Sequence, residues 1–238
     1  MLSLITTVFF DLDGTLLPMD MDEFTNGYFK LLVAKAALLG YDPEDLIKTI
    51  WAGIKEMVMN DGTKTNEEAF WQYFAKVYGE DKLKDKEMFD SFYANEFRTA
   101  KQFCGYNPDA PAIVKYLKEK GKKVVLATNP IFPETATKHR MEWAGLCESD
   151  FEFVTVYENC SSAKPNLKYY EDVLERAGVK PEEVLMVGND TTEDLVATKL
   201  GMKVFIITDC LIDKGNVDLS EVPHGDFKAL KAYIDDIM

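Results

Sequence analysis

The chain has 238 residues, with 41 acidic against 27 basic side chains and a formal charge of −14. That length suits one sizeable domain or a core carrying an insertion, and 47% apolar with 29% charged residues is a globular composition rather than a disordered one. The acidity argues against nucleic acid and anionic membranes as partners, both of which need a basic face, and no apolar run approaches the roughly 18 residues of a membrane helix.

The opening segment Leu2 to Phe10 is apolar, has no basic start and runs straight into Asp11, so it reads as a buried strand rather than a signal peptide. Its β-rich part, Thr6–Phe10, ends in Asp11-Leu12-Asp13-Gly14-Thr15. Residues 18–104 then read as helix throughout. Asp22 to Leu39 is apolar at Phe24, Tyr28, Leu31 and Leu32 and stops at Gly40. Asp42-Pro43 opens a second helix apolar at Leu46, Ile47, Ile50, Trp51, Ile54, Met57 and Val58. A third spans Asn66 to Gly79 and a fourth spans Lys84 to Ala100.

From residue 107 onward helices and strands alternate. Strands fall at Lys123–Ala127, Phe153–Val156, Val184–Val187 and Val204–Ile207. Helices fall after Asn107-Pro108, at Glu134–Ala144, at Asn166–Gly178, from Thr192 to Gly201 and after Asp226. Alternation of this kind predicts an α/β fold with a three-layer, parallel, Rossmann-like sheet. Residues 1–17 and 105–238 would form that core, with 18–104 as an inserted all-helical unit.

In such a sheet, ligands bind beyond the carboxyl ends of the strands. Asp11 and Asp13 follow the first strand, and Thr128 and Asn129 the second. Lys164 follows the third, Gly188-Asn189-Asp190 with Asp194 the fourth, and Asp209 the fifth. Carboxylates, a hydroxyl and a lysine aimed at one rim suit Mg²⁺ together with a phosphoryl group. Two histidines, His139 and His224, exclude a histidine-rich metal site and disfavour a serine–histidine triad. Cys104, Cys147, Cys160 and Cys210 lack a Cys-x-x-Cys spacing and read as free thiols of a reducing cytoplasm.

The segment Asp11-Leu12-Asp13-Gly14-Thr15 resembles the first motif of the haloacid dehalogenase superfamily. Thr128 resembles its second motif, Lys164 its third, and Gly188-Asn189-Asp190 with Asp194 its fourth, all in order and each after the expected strand. The helical insertion resembles the family's type 1 cap.

The resemblance implies Asp11 as nucleophile through an aspartyl-phosphate, and Asp13 as general acid, then base. Mg²⁺ would be held by Asp11, Asp13 through its carbonyl, and Asp190. Thr128 and Asn129 would bind phosphoryl oxygens, with Lys164 balancing charge. Gly14 would let the chain turn under the site and, with Lys164, would join the phosphate-binding residues. Either Asn189 or Asp190 could face the metal; charge favours Asp190. Asp194 would steady Lys164 or water behind it.

Asp13 speaks against a dehalogenase, and no cap lysine (Lys30, Lys48, Lys55) is marked out for phosphonatase chemistry. The expected activity is therefore a Mg²⁺-dependent phosphomonoester hydrolase acting on a small phosphorylated metabolite. A phosphosugar mutase is the nearest rival, and a non-catalytic binding module is a further alternative. Arg98, the one arginine of the insertion, is a candidate specificity residue, and Pro18-Met19 and Phe24 are candidates to line the pocket. The chain is expected to be a cytoplasmic monomer or weak homodimer.

Overall fold

A computed structural model describes residues 5–238; positions 2–4 of the apolar opening segment lie outside them. β1 (Thr7–Phe10) is buried at every residue, as a strand covered on both faces must be. The insertion follows with α1 (Met21–Ala36), α2 (Pro43–Val58), α3 (Asn66–Tyr78) and α4 (Lys86–Ala94). Their starts follow the capping signals. Asp42 accepts from the Glu44 and Asp45 amides ahead of Pro43, and Thr65 with Glu68 forms a reciprocal capping box. The chain then alternates through α5 (Asp109–Glu119), β2 (Lys123–Leu126), α6 (Glu134–Trp143), α7 (Leu167–Ala177), β3 (Val184–Gly188), β4 (Lys203–Ile207), β5 (His224–Gly225) and α8 (Phe227–Ile237).

The sheet is parallel with order β2-β1-β3-β4-β5. Phe9 sits opposite Val125 and Met186 in this register. Alternate residues feed two cores. Val8, Phe10, Leu185 and Val187 pack with Ile113, Leu117, Leu230 and Ile234 of α5 and α8. Phe9, Val125, Met186 and Ile206 pack with Tyr169, Tyr170 and Val173 of α7. The result is the expected three-layer α/β arrangement.

Four local expectations change. Residues 153–156 run beside β2, with the Leu126 amide donating to Phe153 O and the Thr155 amide to Leu126 O, but only the Leu126–Val154 bridge forms. The Val156 amide is taken by Asn159 Oδ1 at 3.0 Å, and that of Tyr157 donates to Phe132 O instead of to β2. β5 is an edge strand of two residues with no apolar run to announce it. The long fourth helix breaks at Asn95, whose φ/ψ of −121°/−78° leaves the helical region, and continues as a 3₁₀ segment over Glu96–Phe103. The helix expected from Thr192 reduces to a 3₁₀ stretch, Leu195–Leu200.

The insertion leaves and rejoins the sheet region side by side. Met19 and Cys104 form an antiparallel bridge, and the Gly105 amide donates to Pro18 O at 2.7 Å. A second tie lies at the start of α3. Asn66 is fully buried; its Nδ2 donates to Pro130 O (3.1 Å) and Ser162 O (3.0 Å), and its Oδ1 accepts from Asn60 (2.9 Å). Its own amide reaches Cys160 O. One side chain thus satisfies two carbonyls of the α/β part and one amide of the insertion.

Replacing Asn66 with Ala removes all three bonds and strands buried partners, and is expected to destabilise the protein by about 2–3 kcal/mol. Urea unfolding followed by circular dichroism measures it; an unchanged midpoint would mean that the tie carries no energy.

Candidate active site

Strands β1, β2 and β3 end at one place, so the residues that follow them converge on a single cavity of about 640 Å³. Asp11, Asp13, Thr128, Asn129, Asn189, Asp190, Glu193 and Asp194 all line it. Lys164 does not. Its side chain is 0% exposed beneath the cavity, where Nζ donates to Asp11 Oδ1 at 3.0 Å and to Asp194 Oδ1 at 2.7 Å. A buried ammonium survives only if it is paired, and the two flanking carboxylates hold its pKa well above the ordinary lysine value against the opposing pull of burial.

Asp11 feels the reverse balance. Burial drives its pKa up to about 7, reinforced by Asp194 and Asp13 and opposed by Lys164. Thr15 Oγ1 lies 3.5 Å from Asp11 Oδ2 and donates to Asn189 Oδ1 at 2.9 Å. Gly14 has φ +79°, and a Cβ there would collide with the Asn189 amide. It therefore lies under the site, outside the cavity lining.

The turn after β3 separates the roles of its neighbours. Asn189 lines the cavity but has both ends of its amide engaged, accepting from Thr15 and donating to Cys210 O at 2.7 Å. Asp190 lines the cavity and accepts the Thr192 and Glu193 amides through Oδ1 only. Asp194 Oδ2 accepts the Asn189 and Asp190 amides while Oδ1 holds Lys164. A Cβ at Gly188 would occupy the place of that carboxylate.

Several site residues lie outside the sequence reading. Arg140 of α6 is 0% exposed and ion-paired with Asp13 Oδ2; its guanidinium also lies over the Phe132 ring and bonds Thr137. Glu193 accepts from Asn129 Nδ2 at 2.9 Å. Burial above all raises its pKa to about 8, with Asp194 and Asp11 adding to the rise and Lys164 opposing it. Thr128 O is anchored by Thr155 Oγ1 (2.7 Å) and Tyr169 Oη (3.0 Å). The scarcity of arginine and its place on the helix after β2 were the one available signal for Arg140. Phe24 and Lys30 line the cavity, as do Ile212 and Lys214 from beyond β4. Pro18, Met19, Arg98, Lys48 and Lys55 lie outside its lining; Met19 is buried in the bridge to Cys104 and Arg98 is exposed.

The donor set suits a hard dication. Six acidic side chains face the cavity against two lysines, and Asp13 Oδ1 is buried without a hydrogen-bond partner among the described residues. Among those residues no three acidic, histidine or cysteine side chains form a closed metal cage. Mg²⁺ needs none, since it uses one or two carboxylates and keeps several waters.

Comparison with known proteins gives one family. A family profile described as a haloacid dehalogenase-like hydrolase matches residues 5–201. A glyceraldehyde 3-phosphate phosphatase of Methanothermobacter thermautotrophicus is 27% identical over 240 residues, spanning 92% of this chain and 96% of that protein. Among solved structures, a HAD phosphatase from Thermococcus onnurineus superposes with a TM-score of 0.59 at 20% identity, covering 96% of this chain and 97% of that one. A 2-haloacid dehalogenase from Pseudomonas syringae pv. Tomato DC3000 gives 0.63 at 18%, covering 99% and 100%. At those identities the two structures speak for the fold alone.

Glu193 offers a test of the site's electrostatics. A carboxyl whose folded pKa is raised stabilises the fold fully below its unfolded value near 4.5, and that contribution is lost as pH climbs through the folded value of about 8. Metal-free Glu193→Gln should therefore gain thermal stability relative to the native chain as pH rises from 5 to 8, the gap levelling off above 8. Parallel melting curves at all pH values would refute the raised pKa.

Proposed function

The chain belongs to the haloacid dehalogenase-like hydrolase family, and from that membership we propose that it is a Mg²⁺-dependent phosphomonoester hydrolase working through an aspartyl-phosphate. The supporting observation is the convergence of Asp11, Asp13, Thr128 and Asp190 on one cavity, with the Lys164 ammonium bonded to Asp11 from below. We take residues 1–17 and 105–238 as the catalytic core and 18–104 as its cap.

Asp11 is the nucleophile. Lys164 holds Oδ1, and Oδ2, which has only the long 3.5 Å contact from Thr15 Oγ1, attacks phosphorus. The P–O bond to the alcohol breaks as the Asp11 oxygen bonds to phosphorus, and Asp13 gives the departing alkoxide its proton. In the second half, Asp13 takes a proton from water, water oxygen bonds to phosphorus and the Asp11 acyl phosphate is cleaved. Arg140 fixes the direction of the Asp13 side chain in both halves. Thr128 and Asn129 bind phosphoryl oxygens at the end of β2, with the Thr128 carbonyl held rigid by Thr155 and Tyr169. Asp11, the Asp13 carbonyl and Asp190 would hold Mg²⁺, which supplies charge neutralisation for the incoming phosphate. Asn189, whose amide is already committed to Thr15 and Cys210, is left out of that set.

The substrate is a small phosphorylated molecule. We place the enzyme in the cytoplasm as a monomer or weak homodimer; its four cysteines are unpaired and, among the described residues, no helix is long and apolar enough to cross a membrane. With p-nitrophenyl phosphate and Mg²⁺ the chain should release phosphate. Asp11→Asn should cut turnover by at least about a thousandfold with an unaltered circular dichroism spectrum. Near-native turnover by that variant would sink the aspartyl-phosphate route. Isomerisation of a sugar phosphate without net phosphate release would convert the assignment to a mutase.

A further inference from the structure

The helix α2 carries two apolar stripes where folding needs one. Leu46, Ile50 and Met57 are buried inside the insertion. Ile47, Trp51, Ile54 and Val58 are spaced at i, i+4, i+7 and i+11, and all four line the cavity above the carboxylates. Trp51 is 50% exposed there. No polar side chain of α2 joins that lining. From α1, Phe29 meets the Trp51 ring edge-on at 5.6 Å, and Val33 extends the same wall. Val33, Ile47 and Ile54 also pack against the core, but Trp51 and Val58 do not, and an apolar face this wide left open next to a reactive centre points to a ligand.

Charge on the cavity walls says what that ligand lacks. A second phosphate or a carboxylate is ordinarily read by a guanidinium. Arg98 and Arg176 lie outside the lining, and Arg140 is engaged with Asp13. The cations facing the cavity among the described residues are Lys30 and Lys214. The volume of about 640 Å³ lies within the roughly 300–1,000 Å³ range of sites that enclose a drug-sized molecule, far more than a three-carbon alcohol fills.

We propose that the leaving group is an extended aliphatic or aromatic alcohol, seated against Trp51 and Ile54 while its phosphate rests at Asp11. This rests on the hydrolase reading above and narrows its substrate class. The ligand is a dissolved monomer, since a chain of net charge −14 is repelled from anionic bilayers.

Alkylphosphonates test it, because their C–P bond cannot be cleaved by this chemistry and binding is read without turnover. Calorimetry on the full chain with Mg²⁺, from methyl- to octylphosphonate, should show affinity rising roughly threefold to fourfold per methylene. Trp51→Asp, at a half-exposed position, should flatten that slope. A flat series for the native chain would overturn the proposal, as would tighter binding of 3-phosphonopropionate than of hexylphosphonate. Vesicles containing phosphatidic acid should not displace hexylphosphonate; displacement would overturn the monomer assignment. Hydrolysis of methyl phosphate with no chain-length slope would leave the hydrolase standing and remove the apolar leaving group. A steep slope with no phosphate released from any ester would do the opposite, keeping the ligand class and removing the reaction.

Discussion

One buried ammonium organises this molecule. Lys164 has no access to water, so both Asp11 and Asp194 must stay beside it. Leaving one charge of such a group unpaired costs about 3–5 kcal/mol. Two chain segments far apart in sequence are thereby fixed to one point. Asp194 in turn holds the amides of Asn189 and Asp190, and the fit is close enough that residue 188 has no room for a Cβ. The turn after β3 is therefore shaped by the same cation that orients Asp11.

Asp11 and Asp13 are one residue apart but lie against different cations. Asp11 rests on an ammonium below the floor, and Asp13 on the Arg140 guanidinium from α6. Strand geometry directs the side chains of residues i and i+2 alike, but the chain has left β1 by Asp11, and the two carboxylates diverge. Arginine and lysine suit the two places differently. The guanidinium stacks on Phe132 and reaches Thr137 as well as Asp13, whereas the compact ammonium fits between two carboxylates.

The strands that build the site were legible because each is a short apolar run ending in polar residues. The motif residues were legible because they occupy those ends. Contacts that depend on distant partners left no local trace. Nothing near residue 66 announces that its amide meets Pro130 and Ser162, and nothing near Arg140 announces Asp13. Glu193 reads as an ordinary helix-start acid, yet its burial against Asn129 makes it a second high-pKa carboxyl of the site. Lys164 was recognised by its order along the chain, while its depth below the cavity is a property of packing. Residues 153–156 show the limit of composition: a β-branched run lies alongside β2 but pairs no further, because the next amide on that side, that of Tyr157, donates to Phe132 O instead.

The paired crossing at Met19 and Cys104 gives the insertion a particular standing. Because Pro18 and Gly105 are already in hydrogen-bonding contact, the gap between them could be closed by a turn of a few residues. Loop-closure entropy grows only slowly with length, so the sheet tolerates the helices of residues 18–104 much as it would a hairpin turn. Such an arrangement makes the helical segment a replaceable part. It could be exchanged for another of different shape, altering what is held above the strand ends while β1 and β2 keep their register. The Asn66 tie, the Glu67 amide's bond to Tyr157 O and the packing of Tyr28, Tyr93 and Phe97 against Phe132 and Trp143 are further joints that an exchanged segment would have to rebuild or relinquish.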